Sequence, residues 1–190
     1  MTLTAAKFPS PFPLLVMLLA LLWAAPSAHA SKCEAQGFIV SAGRAYDQAA
    51  RAGTASAFAN GVARYSDMNA IAMFALGSYR KLLPRAREAE YVALTRKFMG
   101  AFMLENGKNF RVGNLEVVTC TGSPSNMTVT ARTADGKKVS FRIYRAGGSW
   151  LVRDMNVSGI WLVQQMRATF VGTIKRNDER IEALFTYLNR

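Results

Sequence analysis

Histidine is almost missing from this sequence: the 190 residues contain one, His29. It lies in an N-terminal stretch that reads as an export signal, so the expected mature chain has none. That removes Ser-His-Asp and Cys-His nucleophile arrangements and the commonest zinc ligand. Cysteine is nearly as scarce: Cys33 and Cys120 are the only two, with no C-x-x-C spacing to support a redox motif. Acids number 12 against 24 basic residues, and no local motif pairs two carboxylates as a glycosidase does, so such a site would need partners from distant positions. Gly147-Gly148 falls between two strand patterns and reads as a turn, not as a phosphate-cradling loop. The chain shows no solenoid-period repeat, low-complexity tract or Pro/Gly/Ser-rich linker. These absences argue against an enzyme, with no cofactor and no metal expected.

Long apolar runs are also lacking after the N-terminus. Lys7 precedes the run Leu14 to Ala25, which ends in the small-residue site Ala28-His29-Ala30, the pattern of a cleavable signal covering residues 1–30. No later segment approaches the roughly 20 consecutive apolar residues of a membrane helix. Lys32 before Cys33 disfavours lipoprotein processing, and an uncleaved signal anchor is the alternative. The remaining residues, 31–190, suffice for one domain with its own core. Behind an export signal, Cys33 and Cys120 are expected to form a disulfide, with a free thiol pair as the other reading. Closing so long a loop is worth about 4 to 5 kcal/mol in the chain-entropy account.

Positive charge is abundant. The formal charge is +12, and losing Lys7 with the signal makes it +11. Charge alone would favour nucleic acid, but an exported protein meets lipid headgroups, lipopolysaccharide and acidic proteins instead, so no nucleic-acid partner is expected. A merely well-solvated surface is the plainer explanation.

The first half of the mature chain has helical periodicity. Phe38, Ile39, Ala42, Ala45, Tyr46 and Ala49 predict a helix over 34–51, and Gly53-Thr54 a break before a second over 55–65. Asp67 reads as the cap of a third helix running to about Leu82, apolar on nearly every side. Pro84 ends it, and a fourth helix follows to about Glu105, stopped by Asn106-Gly107. The period then changes to two. Strands are predicted over Val112 to Thr121, Met127 to Arg132, Val139 to Tyr144 and Trp150 to Val157, with Asp135-Gly136 and Gly147-Gly148 as turns. After Gly159 helical spacing returns, from Ile160 through Ile174 and from Ile181 to Leu188. The order implies an α+β fold: one antiparallel curved sheet of about four strands, covered by N-terminal and C-terminal helices.

The excess is apolar and flexible. Seven methionines, Met68, Met73, Met99, Met103, Met127, Met155 and Met166, lie in the mature chain. Methionine fills irregular core space and also lines surfaces that accommodate varied ligands. Helices apolar on nearly every side are either central to the core or border a cavity.

Asp154-Met155-Asn156-Val157-Ser158-Gly159-Ile160, continuing through Leu162-Val163 and Arg167 to Phe170, resembles the C-terminal signature of the MlaC, or toluene-tolerance, family of periplasmic phospholipid-binding proteins. Upstream, Tyr65, Asp67, Ala72, Leu76-Gly77, Tyr79-Arg80 and Pro84 match the order and spacing of that family's central helix. Three positions depart from it: Ser158 replaces the usual acid, Trp161 a small polar residue and Met166 a tyrosine. The resemblance implies a periplasmic carrier that takes a phospholipid from an outer-membrane lipoprotein complex or an inner-membrane ABC transporter complex and delivers it to the other; a monomer is expected. It performs no chemistry, and the phospholipid is cargo rather than cofactor. A branch linked to hopanoid metabolism makes a polycyclic lipid the alternative cargo.

On this reading the sheet's concave face and the third, fourth and C-terminal helices enclose the acyl tails. The expected lining is Met73, Leu76, Tyr79, Phe98, Phe102, Met103, Val129, Phe141, Ile143, Val163 and Met166, with Arg80 and Arg142 as headgroup contacts. Two rivals remain. A protein-interaction module would have a solid core, and an enzyme of cystatin-like or NTF2-like shape would bring polar groups together inside the cavity.

Overall fold

The structure is a computed structural model that describes residues 33–107 and 114–190. The expected signal segment and Val112, where the first strand was expected to begin, lie outside the described residues.

Helix α1 (Gln36–Ala52) buries Ile39, Ala42, Tyr46 and Ala49 on one stripe and stops at Gly53, whose N–H donates to the Ala49 carbonyl. Thr54 caps α2 (Ala55–Tyr65) by accepting the Ala57 N–H at 3.2 Å, and Asp67 caps α3 (Met68–Ala75) by accepting the Ala70 N–H at 2.9 Å. The third helix is shorter than its apolar pattern predicts. Gly77 takes a left-handed φ of 58°, which ends the α-helical ladder, and a 3-10 segment (Gly77–Leu82) follows. A Cβ at Gly77 would meet the Arg167 guanidinium and Val171 at 3.2 Å, so the break also permits close approach to a later helix. After Pro84 and a single 3-10 turn (Arg85–Arg87), α4 (Glu88–Gly107) runs the expected length.

Strands β1 (Glu116–Ser123), β2 (Asn126–Arg132), β3 (Lys138–Ala146), β4 (Ser149–Val157) and β5 (Ile160–Trp161) form an antiparallel meander in sequential order. The sheet therefore has five strands where the periodicity predicted about four. Ile160 and Trp161 pair with Val157 and Asn156 before the last helical pattern begins, a two-residue strand too short to show a period. Val129 lies opposite Phe141, and Ala131 opposite Val139; all four are buried on one face, each large side chain contributing about 1.5–3 kcal/mol. Helices α5 (Leu162–Lys175) and α6 (Glu182–Leu188) complete the α+β domain.

Three apolar clusters hold these elements together. One joins α3, α4, α5 and α6 around Leu76, Tyr91, Phe170 and Leu184. A second lies between the sheet and the start of α1, with Ile39 against Val129 and Phe141. The third joins α1, α2 and α4 through Tyr46, Phe58, Val62 and Met103. Cys33 and Cys120 form the expected disulfide, tying the start of α1 to the edge strand β1 with Cα atoms 5.7 Å apart.

Candidate ligand cavity

Where α4, α5 and the buried face of the sheet converge, side chains fail to fill the space. A cavity of about 340 Å³ is bounded by Tyr46 of α1, Phe102, Met103 and Asn106 of α4, Val139 and Phe141 of β3, Met155 and Val157 of β4, and Ser158, Ile160, Leu162 and Gln165 beyond it. A smaller space of about 50 Å³ adjoins it between α4 and α5, bounded by Phe98, Met99, Val163, Met166 and Thr169. Phe102, Met103, Leu162 and Gln165 border both, so they form the partition. Ser158, Ile160 and Gln165 are exposed and mark the mouth.

None of the described residues bordering these spaces carries a charge, although the chain is strongly basic. Burial pushes the Tyr46 phenol up to about 12, opposed in part by a Ser66 hydrogen bond, so it stays neutral and polar at the cavity wall. At the mouth the Asn106 amide N–H donates to the Phe102 carbonyl at 2.8 Å. The start of α5 is already occupied: Oδ1 of buried Asp154 accepts the Val163 N–H at 2.9 Å and the Met155 N–H at 2.8 Å. Burial holds the Asp154 carboxyl above its ordinary range, with those two N–H groups and Arg142 acting in the opposite direction. One of the leading N–H groups of α5 is therefore already satisfied by a carboxyl of the protein's own. The arrangement suits hydrocarbon within and neutral hydrogen-bonding groups at the opening.

Six of the eleven expected lining residues border the two spaces: Phe98, Phe102, Met103, Phe141, Val163 and Met166. Met73, Leu76 and Tyr79 are packed in the helical cluster, where the Tyr79 hydroxyl donates to Glu179 at 2.9 Å. Val129 and Ile143 lie in the solid part of the sheet's core, against neighbouring strands and the start of α1. The expected headgroup arginines border neither space. Arg80 is exposed on the 3-10 segment. Arg142 alternates with Phe141 and Ile143, so its side chain leaves the other face of β3 and stacks on Trp161, 3.8 Å from the ring centroid. Residues that the periodicity passed over include Tyr46, Val139, Met155, Val157, Ile160 and Leu162. Alternation did carry a signal for three of them: Val139 shares the face of Phe141, and Met155 and Val157 share one face of β4.

The family model described as MlaC protein matches residues 38–190. The chain belongs to the MlaC family. The match spans every helix and strand described above apart from the first residues of α1. Among solved structures, the phospholipid-binding protein from Ralstonia solanacearum, in complex with a phospholipid, superposes with a TM-score of 0.70. The alignment covers 83% of this chain and 96% of that one at 14% identity, a likeness of fold. No curated protein matches the chain. Among the described residues no helix is long and apolar enough to cross a membrane.

Proposed function

We propose that this MlaC-family chain is a periplasmic lipid carrier that holds acyl chain in the 340 Å³ cavity between α4, α5 and the sheet. The observation that carries this reading is an apolar, uncharged space left open where α4, α5 and the buried face of the sheet converge. Its size lies in the range of ligand sites, roughly 300–1,000 Å³. The similar fold of a protein solved with a phospholipid supports a phospholipid as the cargo. Phe102, Met103, Phe141, Met155 and Leu162 contact the hydrocarbon, while Asn106, Ser158 and Gln165 meet the polar end.

Carriage has a physical rationale. At about 0.8 kcal/mol per CH2, exposing one chain of roughly sixteen carbons to water costs on the order of 12 kcal/mol, so unaided transfer between membranes is slow. A dry cavity offsets most of that cost and needs no reaction. In this reading residues 1–30 direct export and are removed, 31–190 carry the lipid, and the loaded protein passes it between outer-membrane and inner-membrane transport complexes. Extraction of protein purified from the periplasm with organic solvent, followed by mass spectrometry, tests the core of this. A phospholipid near one molecule per protein is expected; a folded, lipid-free protein that also takes up none from vesicles would refute it.

A further inference from the structure

The end of α5 and the outer side of α6 border a second concavity, an open cleft of about 520 Å³. Its chemistry is the opposite of the lipid cavity's. Arg176, Arg180 and Arg190 line it with a single acid, Glu182, and with Asn177 and Tyr187 as further polar groups. All three arginines are exposed, and the ion pairs among the described residues include none of them. No lysine is among the described residues that border it.

The backbone sets this excess of positive charge. Asp178 and Glu179 lie between Arg176 and Arg180 in the chain, yet neither lines the cleft. Both take left-handed φ angles, 54° and 55°, a strained conformation for residues other than glycine. The Tyr79 hydroxyl holds the turn by donating to Glu179 at 2.9 Å, and the Arg180 N–H donates to the Asn177 carbonyl at 3.1 Å. The turn thus withdraws two acids and leaves an arginine on each side of it bordering one space. The dipole of α5 favours a cation at Arg176, but Arg180 precedes α6, where a dipole favours an acid, so helix electrostatics do not account for it.

The cargo's own headgroup is not the occupant. Gln165 at the cavity's mouth and Arg176 are about 16 Å apart along α5, so a headgroup held at the mouth does not reach the cleft. The cleft nevertheless backs onto the lipid site: the Tyr187 ring lies 6.0 Å from that of Phe98, which borders the smaller apolar space.

We propose that this cleft docks an acidic segment of the protein that supplies or receives the lipid, with carboxylates of that segment paired to Arg176, Arg180 and Arg190. This rests on the lipid-carrier reading, in which handover requires a partner to hold the carrier. It adds the place of holding, about three turns of α5 from the mouth, so that docking leaves the lipid's path clear. The lining selects a protein. Arginine's planar fork takes a carboxylate bidentately, and arginine and tyrosine are enriched at protein interfaces while lysine is depleted. A flat array of lipid headgroups does not enter a recess, and a small-molecule site would be mostly apolar.

Calorimetric titration with an octaglutamate peptide at low ionic strength tests this. The wild-type chain should bind the peptide, and Arg176→Gln/Arg180→Gln should weaken it about tenfold or more. Arg132→Gln/Lys138→Gln removes the same charge from exposed positions on the sheet and should weaken it less than about twofold. Equal weakening in the two double variants would assign the affinity to net charge and overturn the proposal, as would the absence of binding. Arg190→Gln lies beyond both helices and should weaken the peptide about threefold; full affinity there beside a misfolded Arg176→Gln/Arg180→Gln chain overturns it too. Inorganic phosphate that displaces the peptide at equal concentration would make the cleft a small-anion site instead. Phosphatidylglycerol vesicles that bind through the same arginines while the peptide does not would assign it to a membrane. A chain without lipid but with cleft-dependent peptide binding rejects the carrier reading and supports the docking site; a chain with lipid and no peptide binding does the reverse.

Discussion

Replacing Met103 by tryptophan plugs the cavity from its partition. Met103 borders both spaces and is only 8% exposed, so a larger side chain there has empty volume to enter. A cavity of about 150 Å³ holds a benzene ring. On that scale an indole, net of the methionine it replaces, takes a sizeable part of the 340 Å³ and excludes about four methylenes of ligand. At about 0.8 kcal/mol each, the loss is about 3 kcal/mol, or roughly 150-fold in lipid affinity. Displacement of a fluorescent fatty-acyl probe, together with lipid recovered per folded molecule, measures it. Leu76→Trp is the contrast: Leu76 is fully buried in the packed helical cluster, so the same change overpacks the core and costs about 1–3 kcal/mol of stability. Undiminished affinity in folded Met103→Trp would refute the assignment of this space to the ligand.

Two further outcomes concern the frame around the cavity. Replacing both Cys33 and Cys120 by serine opens a loop spanning 87 positions and should lower stability by about 4 to 5 kcal/mol in urea unfolding; a loss below about 1 kcal/mol would contradict the loop-closure account. Asp154→Ala leaves the Val163 and Met155 N–H groups without their acceptor and should cost about 1–3 kcal/mol, whereas Asp154→Asn keeps an amide oxygen there and should cost less. Burial raises the Asp154 carboxyl in the folded state, so the native form holds its proton more tightly than the unfolded one. Wild-type stability relative to Asp154→Asn should therefore fall as pH rises from about 4 through the folded-state value, and denaturation across pH 4 to 7 checks the sign.

The sequence by itself determined the order of elements, the caps at Thr54 and Asp67, the alternating faces of β2 and β3, the disulfide and the family signature around Gly159. These are local: a cap, a turn or a period acts within a few residues of chain. Alternation with Phe141 also sends Arg142 to the opposite face, a local signal that its expected role as a headgroup contact passed over. Tertiary structure alone decided which apolar residues surround a ligand and which surround one another. Leu76 and Met103 look alike in a helical period, yet one meets α5 and α6 side chains while the other meets open space. That difference depends on how α1, α4, α5 and three strands converge, elements contributed from Tyr46 to Gln165, and whether their side-chain volumes together fill the gap. A periodicity records which way a side chain points; only the assembled neighbours decide whether anything is there.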